Sequence, residues 1–132
     1  FWDIDGTLLS TARAGVFAWE GAIREVLGSD RSLDSFPTAG LTDAEIATKL
    51  AEECGAGELL LSVVDNDGAQ NGFDFHITEQ LLNRVNIPVV VGSGAGKLDD
   101  IRSIRDHGPS GVAIATLLHY NKTTISDVKS LL

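Results

Sequence analysis

Apolar and polar positions alternate along this chain in a way that predicts strands and helices taking turns. Residues 14–27, "AGVFAWEGAIREVL", place Val16, Trp19, Ile23 and Val26 three and four apart, the stripe of an amphipathic helix, and Gly28 follows as a stop. Residues 29–41 are loop-like. "TDAE" at 42–45 is a capping box, so a second helix is expected over 43–53 with Ile46, Ala47, Leu50 and Ala51 inward. From Gly55 the pattern becomes regular. Apolar runs at 58–64, 87–92 and 111–117 predict buried strands. Helical patterns follow at 74–84 (Phe75, Leu81, Leu82 and Val85 inward), 97–107, and 123–132 (Ile125, Val128 and Leu131 inward). Phe1–Ile4 reads as a further short strand. Repeated βα units with right-handed crossovers make the expected fold class α/β. Either a half (βα)8-barrel or a flavodoxin-like parallel sheet of about four strands satisfies the pattern.

Composition narrows the partners. The 132 residues include 19 acidic and 10 basic side chains, for a net charge of −9, which opposes binding to nucleic acid or to an anionic membrane surface. The longest uncharged apolar runs, "LLLSVV" and "GVAIATLLHY", are too short to span a bilayer, and nothing at the start reads as a signal peptide. A cytoplasmic protein is expected. Cys54 is the single cysteine, so an internal disulfide is excluded, and a nucleophilic role is not expected for it at a helix end. No initiator methionine opens the chain, which suggests a fragment.

Two stretches share an Asp-x-Asp-Gly pattern behind an apolar run: "FWDIDGTLLS" at 1–10 and "SVVDNDGAQN" at 62–71. In the first, Asp3 at a strand end can attack phosphorus, and Asp5, two residues on, points the same way and can protonate a leaving group. Gly6 and Thr7 offer an amide and a hydroxyl to phosphate oxygens. Residues 1–53 resemble the haloacid dehalogenase phosphohydrolases through "DIDGTLL", "ARAGVFAWEGAIREVLG" and "TAGLTDAEIATKL". The resemblance implies Asp3 as nucleophile, Asp5 as general acid/base, Thr7 as phosphate contact, and Mg²⁺ held by Asp3 and the Asp5 carbonyl. That family's remaining parts have no counterpart in a matching context, so Mg²⁺ binding is expected to be weak.

The second stretch belongs with the glycine loop "VVVGSGAG", where Gly92, Gly94 and Gly96 end a buried strand and bare amides can approach an anion, with the dipole of the next helix behind them. Spacing excludes a P-loop and a dinucleotide fingerprint, and "DNDGAQNGFDFH" is no calcium loop, since Gln70 and His76 occupy its sixth and twelfth positions. In order and spacing, "GAGELLLSVVDNDGAQNGFD", "IPVVVGSGAGKLDD" and "GVAIATLLHY" resemble the C-terminal part of the HisF family, the cyclase subunit of imidazole glycerol phosphate synthase, a (βα)8 barrel. This implies barrel strands six to eight, with a phosphate or phosphorylated small molecule held near Ser93 by the amides of Gly94 and Ala95 and by Thr116. Ser62 and Asp67 would line the substrate channel. The family usually reads Ser-Gly-Gly where this chain has Gly92, Ser93 and Gly94, Thr at Ala69, and Ser at Thr116.

The two resemblances together make the chain look like a chimera: residues 1–53 from one parent and 54–132 from the other, with each catalytic set incomplete. The HisF family's catalytic aspartates sit on strands one and five, which residues 55–132 lack. Three functions follow in order: a phosphate-binding half-barrel, an Asp3-dependent phosphohydrolase, and a homodimer formed through an open sheet edge. If Phe1–Ile4 docks beside residues 58–64, Asp5 should lie within roughly 15 Å of Gly94. Single residues carry blander expectations: His119 packs at a strand end, His76 and His107 are solvated on helices, and Trp19 belongs to a core.

Overall fold

The computed structural model describes residues 14–36 and 41–131. Two compact units divide between Thr42 and Asp43. The predicted strand at Phe1–Ile4 and its distance to Gly94 lie outside the described residues.

The first unit contributes helix α1, Ala14–Leu27, with the predicted bounds. Its stripe is buried unevenly. Ile23 is buried, Val16 and Trp19 are half-buried, and Val26 faces solvent at 78% exposure. Beyond the helix, Leu33 and Phe36 are buried, and the Glu20 carboxylate accepts from the Leu33 amide at 2.7 Å, tying the loop back to α1.

The second unit opens with α2, Asp43–Glu53, as the capping box predicts. Ile46 and Leu50 are buried, but Ala47 is exposed and Ala51 half-buried, so the inward face is narrower than expected. Two polar contacts hold α2 to its own unit: Arg84 to Glu45 at 2.9 Å, and the backbone and side-chain amides of Asn86 to Glu52, each at 3.2 Å.

Three parallel strands follow, β1 (Leu59–Ser62), β2 (Val89–Gly92) and β3 (Gly111–Val112), in the order β1-β2-β3. Leu59 pairs with Val89 and Ser62 with Gly92, while Val90 pairs with Gly111. Helices α3 (Phe75–Leu82) and α4 (Leu98–Asp106) make the two crossovers that parallel pairing requires. The apolar reading of "VVVG" is explained by its central place: Val89 and Val91 are each 1% exposed. Around them Phe73, Ala95, Ile101, Ile104 and Leu117 complete the core.

Several expected elements are shorter. The strand predicted over 58–64 stops at Ser62, and Val64–Asn66 form a single 3-10 turn. The strand predicted over 111–117 ends at Val112; Thr116–His119 is instead a one-turn helix, α5, which buries Leu117. His119 therefore sits on an exposed helical turn, edge-on to Tyr120, and not at the end of a buried strand. A short apolar run does not distinguish strand from buried turn, because Leu117 satisfies either period. On α3 the buried residue is Thr78, whose hydroxyl donates to the Asp74 carbonyl at 2.6 Å. Phe75, expected inward, is exposed and stacks on His107 with centroids 4.6 Å apart, while Glu79 contacts the His107 ring at 2.8 Å.

The last helix, α6, covers Ile125–Lys129 and owes its start to a reciprocal cap. Thr124 accepts from the Asp127 amide at 3.2 Å, while the Asp127 carboxylate accepts from the Thr124 hydroxyl and amide at 2.7 and 3.0 Å. Those donors favour the ionised form, so the Asp127 carboxyl lies below the ordinary aspartate value, the Thr124 side chain being the main cause. A lowered folded value means the cap is at full strength above the unfolded value of 3.8 and weakens as pH falls through the lower one. An NMR titration is expected to show Asp127 ionising below that of an unstructured aspartate, with the Thr124 amide shifting in step; a midpoint at or above the unstructured value would contradict the cap.

No helix among the described residues is long and apolar enough to cross a membrane.

Candidate phosphate-binding site

The carboxyl ends of β1, β2 and β3 open onto one cavity of about 220 Å³. Ser62 and Asp67 reach it from β1 and the turn beyond, Gly92 to Ala95 from β2, and Ala113 to Thr116 from β3. Parallel strands gather their C-terminal loops at one end, so three segments distant in sequence converge without any long excursion. All six residues expected from the second half, Ser62, Asp67, Ser93, Gly94, Ala95 and Thr116, line this cavity. Thr116 does so as the first residue of α5, not as a strand end.

Beside the cavity two loops are pressed together. The loop after β1 is closed on itself by Asn66, whose side-chain amide donates to the Gly72 carbonyl at 3.1 Å. It is then laid over the loop after β2, where the Gly72 amide donates to the Gly94 carbonyl at 2.9 Å. The approach is close enough to dictate glycine: a Cβ on Gly94 would stand 2.1 Å from the Gly72 carbonyl oxygen, and one on Gly96 would stand 2.3 Å from that of Gln70. Lys122 Nζ contacts the Gln70 side chain from the far side. Asn66, Gln70, Gly72 and Lys122 were not among the site residues expected from the sequence. The glycine pair in "DGAQNG" was the one available hint, since it announces a tight turn without naming what the turn rests on.

The second loop carries both occupied and open amide donors. Asp100, in the first turn of α4, accepts from the Gly96 and Lys97 amides at 2.8 and 3.0 Å. The two amides that lead into α4 are thereby taken by the chain's own carboxylate, whose charge also faces the dipole expected to assist an anion. The amides of Gly94 and Ala95 donate to no group among the described residues. Ser62 and Ser93 pair their hydroxyls across the β1 and β2 ends at 2.8 Å. Among the described residues Asp67 is the one charged residue in the lining, and no lysine or arginine lines it. Such a lining offers amide and hydroxyl donors but no countercharge among the described residues.

Asp3, Asp5 and Thr7 lie outside the described residues, so the nucleophile and Mg²⁺ expectations attached to them gain no structural description. Among the described residues no group of three or more His, Cys, Asp or Glu side chains is placed to hold a metal ion. Cys54 is exposed and free.

Comparison with known proteins places this geometry in context. Residues 36–124 match the family described as "Histidine biosynthesis protein", so α2, which was expected to belong to a separate parent, falls inside the matched region. Imidazole glycerol phosphate synthase subunit HisF of Prochlorococcus marinus (strain MIT 9215) is 47% identical over 85 residues, which is 64% of this chain and 33% of that protein. The HisF subunits of Bifidobacterium adolescentis and Dehalococcoides mccartyi are each 41% identical, over 87 and 95 residues, covering 66% and 71% of this chain and 34% and 37% of theirs. The chain thus spans about a third of the length of the curated relatives it matches. Parallel βα units, a sheet ordered β1-β2-β3 and a cavity at the strand ends fit part of a (βα)8 barrel, and with the match over most of its length the chain belongs to the histidine biosynthesis protein family.

Proposed function

We propose that this chain binds a phosphorylated small molecule at the strand-end cavity, as the phosphate-holding portion of a HisF-type cyclase. The observation that carries the reading is that Ser62, Ser93, Gly94, Ala95 and Thr116 line one cavity, while the Gly94 and Ala95 amides donate to no group among the described residues. Amides fixed by the underlying loop require no reorganisation when an anion arrives, which favours binding. Asp67 repels a phosphate but accepts from a hydroxyl, so it suits the sugar side of a phosphate ester. By the family resemblance the catalytic carboxylates belong to other barrel strands, and the described residues are assigned to binding rather than to cyclisation. The phosphohydrolase reading, with its Mg²⁺, has only Asp3, Asp5 and Thr7 behind it.

Without a lysine or arginine in the lining, affinity for inorganic phosphate is expected near 1 mM, about −4 kcal/mol. Titration calorimetry with inorganic phosphate and with ribose 5-phosphate is expected to give saturable binding, tighter for the ester. The unfolding midpoint should rise with ligand concentration, because a ligand bound only to the folded state stabilises it by mass action. No heat and no midpoint shift with either compound at tens of millimolar, roughly ten times that affinity or more, would end this reading.

A further inference from the structure

Asn71 precedes Gly72 in the loop after β1, whereas Asn66, Asn83, Asn86 and Asn121 all precede larger residues. The pair is chemically labile. With no side chain to shield it, a glycine nitrogen can reach the side-chain carbonyl carbon of the asparagine before it. The bond from the Gly72 nitrogen to the Asn71 Cγ forms, the Cγ–Nδ2 bond breaks, and the departing amino group carries off the Gly72 amide proton as ammonia. Water then opens the resulting cyclic imide on one side to aspartate, or on the other to isoaspartate, whose main chain runs through the former side chain.

Asn71 itself offers no resistance. It is exposed, and its side chain engages no group among the described residues. Gly72 does resist. It is buried, its amide donates to the Gly94 carbonyl at 2.9 Å, and its own carbonyl accepts from the Asn66 side-chain amide at 3.1 Å. The nitrogen must give up its proton to react, and that proton is committed to Gly94. On the other side of Asn71 the Gln70 carbonyl lies so close to Gly96 that a Cβ there would stand 2.3 Å from it. Asn71 is thus held between two residues that both rest on the loop after β2.

We propose that Asn71 is a deamidation site held in check by the contact between the two loops, so that the modification proceeds from the opened loop and not from the closed one. Opening a surface loop takes less free energy than unfolding the whole unit, so the reaction is slowed and not abolished. Either product alters the contact. Aspartate adds a negative charge to a chain already at −9, and isoaspartate lengthens the main chain between Gln70 and Gly72, the two residues seated on the β2 loop.

The test incubates the protein at neutral pH, folded in buffer and unfolded in urea, and follows the conversion of amide to acid at each asparagine by tandem mass spectrometry. Hydrogen exchange at the Gly72 amide is read by NMR in parallel. Conversion at Asn71 is expected to be at least about tenfold slower in the folded protein than in the unfolded chain. Asn66→Ala, which frees the Gly72 carbonyl, is expected to speed both Gly72 exchange and Asn71 conversion about threefold or more. Equal rates in folded and unfolded chains would overturn the protection, and so would an Asn66→Ala protein that converts at the wild-type rate. An unfolded chain in which another asparagine reacts before Asn71 would remove the site itself. Neither readout uses a ligand, so the outcome is independent of phosphate binding at the cavity.

Discussion

Replacing Gly94 by alanine is expected to destabilise the second unit by about 3–5 kcal/mol and to abolish phosphate binding. Two effects act together. The added methyl would sit 2.1 Å from the Gly72 carbonyl oxygen and 2.9 Å from its carbon, far inside van der Waals contact, and both atoms are backbone, which cannot swing aside as a side chain can. The residue also holds φ +102°, where an L side chain is strained whatever the space. Relief requires lifting the loop after β1, which breaks the hydrogen bond from the Gly72 amide to the Gly94 carbonyl and removes one wall of the cavity. Urea unfolding measures the first effect and phosphate calorimetry the second. Gly92→Ala is the matched control, with contacts no closer than 3.6 Å, and is expected to change stability by less than about 1 kcal/mol. A Gly94→Ala protein with the wild-type midpoint would show that the two loops do not rest on each other as described.

Truncating Ile104 to alanine is the second large effect, expected at about 2–5 kcal/mol. Ile104 is fully buried on α4 beside Ile101 and belongs to the core formed with Val89, Val91 and Leu117. Three methyl or methylene groups leave a space that a helix seated on a central strand closes only partly. For a unit of this size each kcal/mol moves the thermal midpoint by about 4–8 °C, so a fall of about 8 °C or more is expected in a thermal scan. Against a total stability of about 5–15 kcal/mol, such a loss is enough to populate unfolded chains at ordinary temperature. Val26→Ala, at 78% exposure on α1, should shift the same scan by little. Equal effects from the two truncations would contradict the assigned core.

The sequence made the order of elements legible because the second half repeats a simple alternation of apolar strand and amphipathic helix. "IPVVVG" reads as buried on both faces, and β2 is the central strand. The capping box "TDAE" places the start of α2 at Asp43. The cavity residues were legible for a different reason: the glycine loop stands out by its bare amides at a strand end, while Ser62, Asp67, Ser93 and Thr116 came from the resemblance to the HisF family rather than from any local pattern. Three things were not legible. A run such as "GVAIATLLHY" is apolar throughout, so nothing local says that the chain turns at Ala115 to bury Leu117 from a helix. The outward turn of Phe75 depends on His107, which lies in a separate helical segment 32 positions further on. Glycine spacing signals close approach, yet it does not reveal that Gly94 and Gly96 are pressed by Gly72 and Gln70.

Asp100 gives the site a permanent internal occupant. Its carboxylate takes the amides of Gly96 and Lys97, which lead into α4 just before Leu98. A chloride, sulfate or metabolite carboxylate approaching there meets a fixed negative charge instead of two open donors. For an anion at this end of the sheet, the donors left over on the loop are the Gly94 and Ala95 amides, one step back along the chain, which donate to no group among the described residues.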